Sequence, residues 1–257
     1  MRSTTRRRWH GARVPHERRV SGGRGNSVYV ELAPLAAHRA LLDHLFILVD
    51  DGTLTAPGRH RFATPFSEIR YLRRPDDDPP WQASWSRPVA AARPRQRALA
   101  GMVVGFRAHA QPSPGALPEL GPIGIEGSLD AVVHALDALA ADLCPRLGGA
   151  PAMAAVSQRT LRRRFDASVG LGPKAWQALH RFRGALLDLA RSPASLADTA
   201  QARGYADQSH MSADFQRRAG TSPGRFAARS RAEAGGDVGR FFQDPALRQR
   251  VHTLVST

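Results

Sequence analysis

Ser195-Leu-Ala-Asp-Thr-Ala-Gln-Ala-Arg-Gly-Tyr-Ala-Asp-Gln-Ser-His-Met-Ser-Ala-Asp-Phe215, followed by Ala219-Gly-Thr-Ser-Pro223, is the stretch on which the fold turns. Ser195 is a good helix N-cap, and Asp198 three residues on forms a capping-box-like pair with it, which predicts a short helix over Leu196–Ala202. Gly204 supplies a left-handed turn, and Asp207 caps a further helix whose buried pair is Met211 and Phe215. Ala200 is small enough to let the two helices approach closely. Two capped helices arranged around Ala200 and Gly204 have helix–turn–helix spacing, a spacing that many helical hairpins share. Ser222-Pro223 then opens a last short helix through Phe226.

Upstream, helical signals continue. Ser157 is a second N-cap; Leu161, Phe165 and Val169 fall on one face, and Gly170 closes the segment. Gly172-Pro173 starts the next helix, with Trp176, Leu179, Phe182, Leu186 and Leu189 on its apolar face and Ser192-Pro193 as its stop. Trp176 and Phe182 are expected in the core rather than stacked on bases. The rod between the two capped helices has about 18 residues, or roughly 27 Å. That length suits two reading helices in successive major grooves, which recur every ~34 Å.

The stretch 195–223 resembles the second helix–turn–helix of AraC/XylS-type regulators. Ser157-Gln-Arg-Thr-Leu-Arg-Arg-Arg-Phe165 with Val169-Gly-Leu-Gly-Pro-Lys174 is similar to their first recognition helix, and Phe182-Arg-Gly-Ala-Leu-Leu187 to the segment between. The resemblance implies a sequence-specific transcriptional regulator that binds double-stranded DNA. Its base-reading positions carry over onto Arg159, Arg162 and Arg163 in the first helix and onto Gln208, Ser209, His210 and Ala213 in the second, where Ser212 is a further DNA-binding candidate. Arg suits bidentate contact with guanine and Gln with adenine. Arg164, Arg217 and Arg218 are expected at phosphates, where they fix register without reading bases. Two departures stand out. Only Ala150–Val156 precede Ser157 where such domains carry a further helix, so the first unit looks truncated, and Ala213 stands where the family often has Arg or Lys.

The charge layout points the same way independently. The chain of 257 residues has a net charge of +15. Met1–Arg24 carries +7 and residues 157–231 carry +9, whereas residues 25–156 carry −1 and 232–257 are neutral. A basic block on a helical domain is the electrostatic footprint of phosphate-backbone binding. The single cysteine, Cys144, rules out an intramolecular disulfide or a cysteine-rich zinc site. No apolar run approaches the roughly 20 residues of a membrane span, and a cytoplasmic protein fits.

Residues 1–26 read as a disordered basic arm that either touches DNA or lies upstream of the native start. Residues 27–147 form the next unit. The short apolar runs Ser27–Leu32, Leu41–Val49, Glu68–Leu72, Met102–Phe106 and Ile123–Ile125 predict strands, and Ser128–Leu143 a helix ended by Cys144-Pro145. Pro75-Asp-Asp-Asp-Pro-Pro80 predicts an exposed loop, Gly148-Gly149-Ala-Pro151 a linker, and 232–257 a carboxy-terminal tail. The fold class expected is an α+β amino-terminal domain joined to an all-α carboxy-terminal domain (148–231) with tandem helix–turn–helix units. Pro65-Phe-Ser-Glu-Ile-Arg-Tyr71 and Val104-Gly-Phe-Arg107 resemble β-containing domains found beside such units, which sense a small molecule, dimerise, or both. A small-molecule effector and RNA polymerase are the further partners this brings into view. No cofactor is expected. His38 and His44 are six residues apart and His60 and His109 isolated, so no metal set is read.

Two other functions share these residues. One is a degenerate regulator with weak or nonspecific DNA binding. The other is an alkyl-transfer DNA-repair enzyme, which requires a reactive cysteine; Cys144, between Leu143 and Pro145 at the end of an apolar helix, reads instead as a small core residue.

Overall fold

The computed structural model describes residues 27–52, 60–74, 81–94, 100–112, 115, 117–121, 123, 128–147, 157–191, 195–233 and 238–256. The basic arm, the 75–80 loop, the linker at 148–151 and most of Ile123–Ile125 lie outside these residues.

Strands β1 (Val28–Leu32), β2 (Leu42–Asp50), β4 (Ser67–Arg73), β5 (Gln82–Ser86), β7 (Gly101–Ala108) and β8 (Val251–Ser256) form one antiparallel sheet in the order β5-β4-β7-β2-β1-β8. Strands β3 (His60–Arg61) and β6 (Arg93–Pro94) form a separate two-stranded ribbon. Alternation sends Val28, Val30 and Leu32 to one face. There they join Ile47, Ile69, Val104 and Phe106 in a core closed by helix α1 (Asp130–Leu143) through Val132, Val133, Leu136 and Leu143. Four of the five expected strands and the helix are therefore present; β5 and the ribbon were not expected.

The helical region runs α2 (Gln158–Ser168), α3 (Pro173–Arg191), α4 (Leu196–Ala202), α5 (Gln208–Ala219) and α6 (Pro223–Glu233). Helix α6 continues well beyond Phe226, because Phe226 and Ala227 both pack into the helical core and carry the chain on. The segment read as a tail folds back on the sheet. Helices α7 (Val238–Phe241) and α8 (Pro245–Arg250) bury Phe242 and Leu247 in the sheet core, and β8 pairs with β1. The pull is a continuous one: β8 supplies the hydrogen bonds that edge strand β1 would otherwise lack. Arg250 fixes the return with two hydrogen bonds to Asp137 of α1 at 2.6 and 2.8 Å. The helical region is thus tethered to the sheet at both of its ends.

The other face of the sheet sets charged side chains beside a small apolar cluster of Phe46, Leu48 and Val103. Glu68 forms ion pairs with Arg61 and Arg107; burial opposes its ionisation, but these cations hold its carboxyl down at about 2. Beside it, Phe66 is buried under His44, His109, His180 and Arg183, with ring separations of 6.3, 5.3 and 5.5 Å and the guanidinium 5.1 Å away. Arg183 of α3 donates to Asp43 at 2.8 Å. Burial disfavours the Asp43 charge, yet the hydrogen bond with His44 and the Arg183 charge bring its carboxyl to about 2. His44, His109 and His180 are all held below the usual histidine value, first by burial; for His44 this outweighs the pull of Glu31 and Asp43.

The sign of the resulting pH dependence follows from proton counts. Below about pH 6.5 the unfolded chain's histidines take up protons that the folded ones refuse, so the unfolded state is favoured as pH falls. Asp43 and Glu68 add to this only below about pH 4, where their unfolded carboxyls protonate first. Urea denaturation at pH 8, 7, 6 and 5 is expected to show a midpoint that declines below pH 6.5. A flat profile from pH 7 to 5 would mean that these imidazoles are not kept neutral.

Candidate nucleic-acid interface

Helix α5 starts where its sequence dictates. The Asp207 carboxylate accepts the His210 N–H at 2.7 Å, satisfying one of the four free donors of the first turn. Ser195 caps α4 in the same way, accepting from Asp198 N–H at 3.0 Å. The capping box is not reciprocal, however: the Asp198 carboxylate takes the Ser195 hydroxyl at 2.6 Å. Between the helices Gly204 has φ of +72°, the left-handed turn that a side chain would strain. The turn is held from α3, where Arg181 donates to the Gly204 carbonyl and lies 4.6 Å over the Tyr205 ring.

One side of α5 faces the core. Met211 and Phe215 are fully buried, and Phe215 meets Phe182 and Phe226 edge-on or tilted at 5.1 and 6.0 Å. The other side, with Gln208, Ser209, His210, Ala213, Gln216 and Arg217, is exposed, and Ser212 is half-buried. His210 is less available than the others, since its ring packs against Tyr205 and its Nδ1 accepts the Ala206 N–H.

Arg218 corrects an expectation: it is not at a phosphate-contacting surface. Its side chain is 6% exposed and donates to Asp214 at 2.7 Å and to the Ala90 carbonyl at 2.9 Å. The helix period places it one step from Arg217 on the inward side, where only a paired guanidinium is tolerated. Asp214 also accepts from Arg217 and from the Tyr205 hydroxyl. Burial opposes its charge, but hydrogen bonds from Arg217 and Arg218 prevail and lower its pKa. Asp214 and Arg218 were missed as structural residues because neither charge nor helical spacing announces burial; the only sequence signal is their i,i+4 separation.

Helix α2 is capped by Ser157, which accepts the Thr160 N–H, and closes at Gly170 with φ of +77°. Phe165 and Val169 are buried, with Phe165 edge-on to Trp176 at 5.7 Å. Arg159, Arg162, Arg163 and Arg164 are all exposed. Helix α3, about 28 Å long for its 19 residues, carries α2 near its start, where Phe165 meets Trp176, and α5 at its middle, where Phe215 meets Phe182. Phe182 is fully buried and Trp176 partly so, as expected of core residues.

Such a surface, two capped helices presenting Arg, Gln and Ser side chains outward, can donate hydrogen bonds to phosphates and to base edges. Among the described residues no group of His, Cys, Asp or Glu is arranged to hold a metal ion, and no helix is long and apolar enough to cross a membrane. Cys144 is buried, and burial pushes its thiol up, away from reactivity. Residues 152–229 match the family model of a helix-turn-helix domain. No curated protein and no solved structure gives a significant match. With the capped α4–turn–α5 unit, its exposed outer face and this match in agreement, the chain is a DNA-binding transcription regulator carrying an AraC/XylS-type helix–turn–helix domain.

Proposed function

We propose that the chain reads a specific DNA sequence by placing α2 and α5 in adjacent major grooves, as a regulator rather than an enzyme, in the cytoplasm. The observation that carries this reading is the pairing of an exposed face on α5 with four exposed arginines on α2, both helices packed on α3, at Phe182 and at Trp176. In this reading Arg159, Arg162 and Arg163 read bases from α2, and Gln208, Ser209, His210 and Ser212 from α5. Arg164 and Arg217 contact phosphates. The sheet domain (27–147, joined by β8) is the place where a small-molecule effector or RNA polymerase would bias that placement.

Binding-site selection with the purified full chain at about 150 mM salt, where nonspecific binding is weak, tests this. Two half-elements about one DNA turn apart would support reading by both helices. A single short element would leave one unit working, assigned to residues 195–220, and no enrichment would overturn sequence-specific binding. Arg162→Ala is expected to weaken binding to the selected site by about 1–3 kcal/mol and to relax preference at one base pair. Unchanged affinity and preference would remove Arg162 from the reading surface.

A further inference from the structure

The last carbonyls of a helix have no partner within it. In both α2 and α5 the sheet domain supplies partners. The Arg217 and Arg218 carbonyls of α5 accept the N–H groups of Ala92 and Ala63 at 2.9 and 2.8 Å, and the Ser168 carbonyl of α2 accepts the N–H of Gln111 at 3.2 Å. Ala63 and Ala92 belong to one clip: the β3–β6 ribbon is extended by paired hydrogen bonds between Thr64 and Val89 at 2.9 and 3.0 Å. Arg218 grips that clip through the Ala90 carbonyl, and Phe62 packs on Phe226 at 5.8 Å. Midway between, α3 is held by Arg183 on Asp43 and by Phe66 against His180.

Helix α2 has little else to orient it. Phe165 is its one buried residue, and Val169 follows at its C-cap. At Gly170 an added Cβ would meet the Gln111 side chain at 2.8 Å, so the sheet domain lies directly against the end of this helix.

We infer that the sheet domain is a brace that fixes the two reading helices relative to one another, with Asp43, Phe66 and Arg183 as positioning residues. The inference rests on the reading of α2 and α5 as the two DNA-reading helices. A brace of this kind makes the two helices one rigid reader, so that DNA pays no ordering entropy to align them. Without it, only their packing on α3 fixes α2 relative to α5.

The test uses the full chain with Cys144→Ser and spin labels on Ala167→Cys and Gln216→Cys, both exposed positions on α2 and α5. Pulsed electron–electron measurement is expected to give one narrow distance. Adding Phe66→Ala or Asp43→Asn should broaden that distribution, while a label pair on Gln177→Cys and Gln216→Cys, joining α3 to α5, stays narrow and helix content is unchanged. Asp43→Asn covers the case in which Phe66→Ala fails to fold. The same proteins are then compared on DNA with one or two selected elements at varied spacing. The two-element advantage, on the order of 100-fold for linked readers, should fall at least tenfold in the variants with one-element binding retained. Equal loss on one- and two-element DNA would indicate simple destabilisation and overturn the positioning role, as would unbroadened distances. If the parent chain selects no element but the labels respond as described, the DNA reading fails and the brace stands as a property of the fold.

Discussion

Replacing Phe215 by alanine is expected to cost the helical domain about 3–5 kcal/mol, as full truncation of a buried aromatic does. Phe215 is fully buried on α5 and joins three elements at one point, meeting Phe182 of α3 and Phe226 of α6. Removing it leaves a void beside two rings that cannot both collapse inward, since each is fixed on its own helix. The edge-on and tilted ring contacts are lost as well, and these contribute beyond buried area. Because α5 is oriented by this cluster, DNA affinity should fall together with stability. Urea denaturation followed by helix signal at 222 nm is the check, with Phe215→Leu as the milder comparison. A loss below about 1 kcal/mol would show that the centre of the core lies elsewhere.

Asp214→Ala is expected to be similarly severe, at about 3–5 kcal/mol, for a different reason. Asp214 is 2% exposed and serves Arg217, Arg218 and Tyr205 at once. Its removal leaves the buried Arg218 guanidinium with only the Ala90 carbonyl among the contacts described above, and desolvated charge without a counterion is among the costliest defects in a fold. The exposed pair Arg203–Asp188 sets the scale for comparison: Asp188→Ala there should cost less than about 1 kcal/mol, since solvent screens both groups. Equal losses at the two sites would refute the distinction. The pH dependence has a definite sign. Because the folded Asp214 pKa is lowered, its stabilisation is complete above the unfolded value near 3.9 and disappears as pH falls through the folded one. Replacing both partners, Asp214→Leu with Arg218→Met, should recover part of the loss, since no charge is then stranded. The remainder includes the lost Arg218 contact with Ala90, which joins the domains, and the Tyr205 hydroxyl left without Asp214.

These two residues show how differently the sequence exposes its own content. Phe215 was legible because Met211 and Phe215 repeat at helical spacing between an N-cap and a glycine, and apolar periodicity is a local property. Arg218 was read as a phosphate contact because it sits in a basic block beside Arg217. A charged residue is a solvated one by default, and only the approach of Ala90 from 128 residues away reverses that. The same contrast holds for the strands. β2 and β7 carry apolar runs, β4 alternates Ile69 and Tyr71 with charged residues, and all three were found, whereas β5 has no fully buried residue and left no pattern.

By itself the sequence determined the caps at Ser157, Ser195 and Asp207, the turn at Gly204 and the buried stripe of α3 and α5. It determined equally the exposed basic face of α2, because all of these depend on neighbours within about four residues along the chain. Tertiary structure alone decided that residues 251–256 close the sheet beside β1 and that Asp43, Phe66 and Arg183 meet in one junction. It alone decided that the sheet domain caps the ends of α2 and α5. Those pairings join positions far apart in the chain, and a backbone N–H or a carbonyl carries no side-chain signature of the partner it will find.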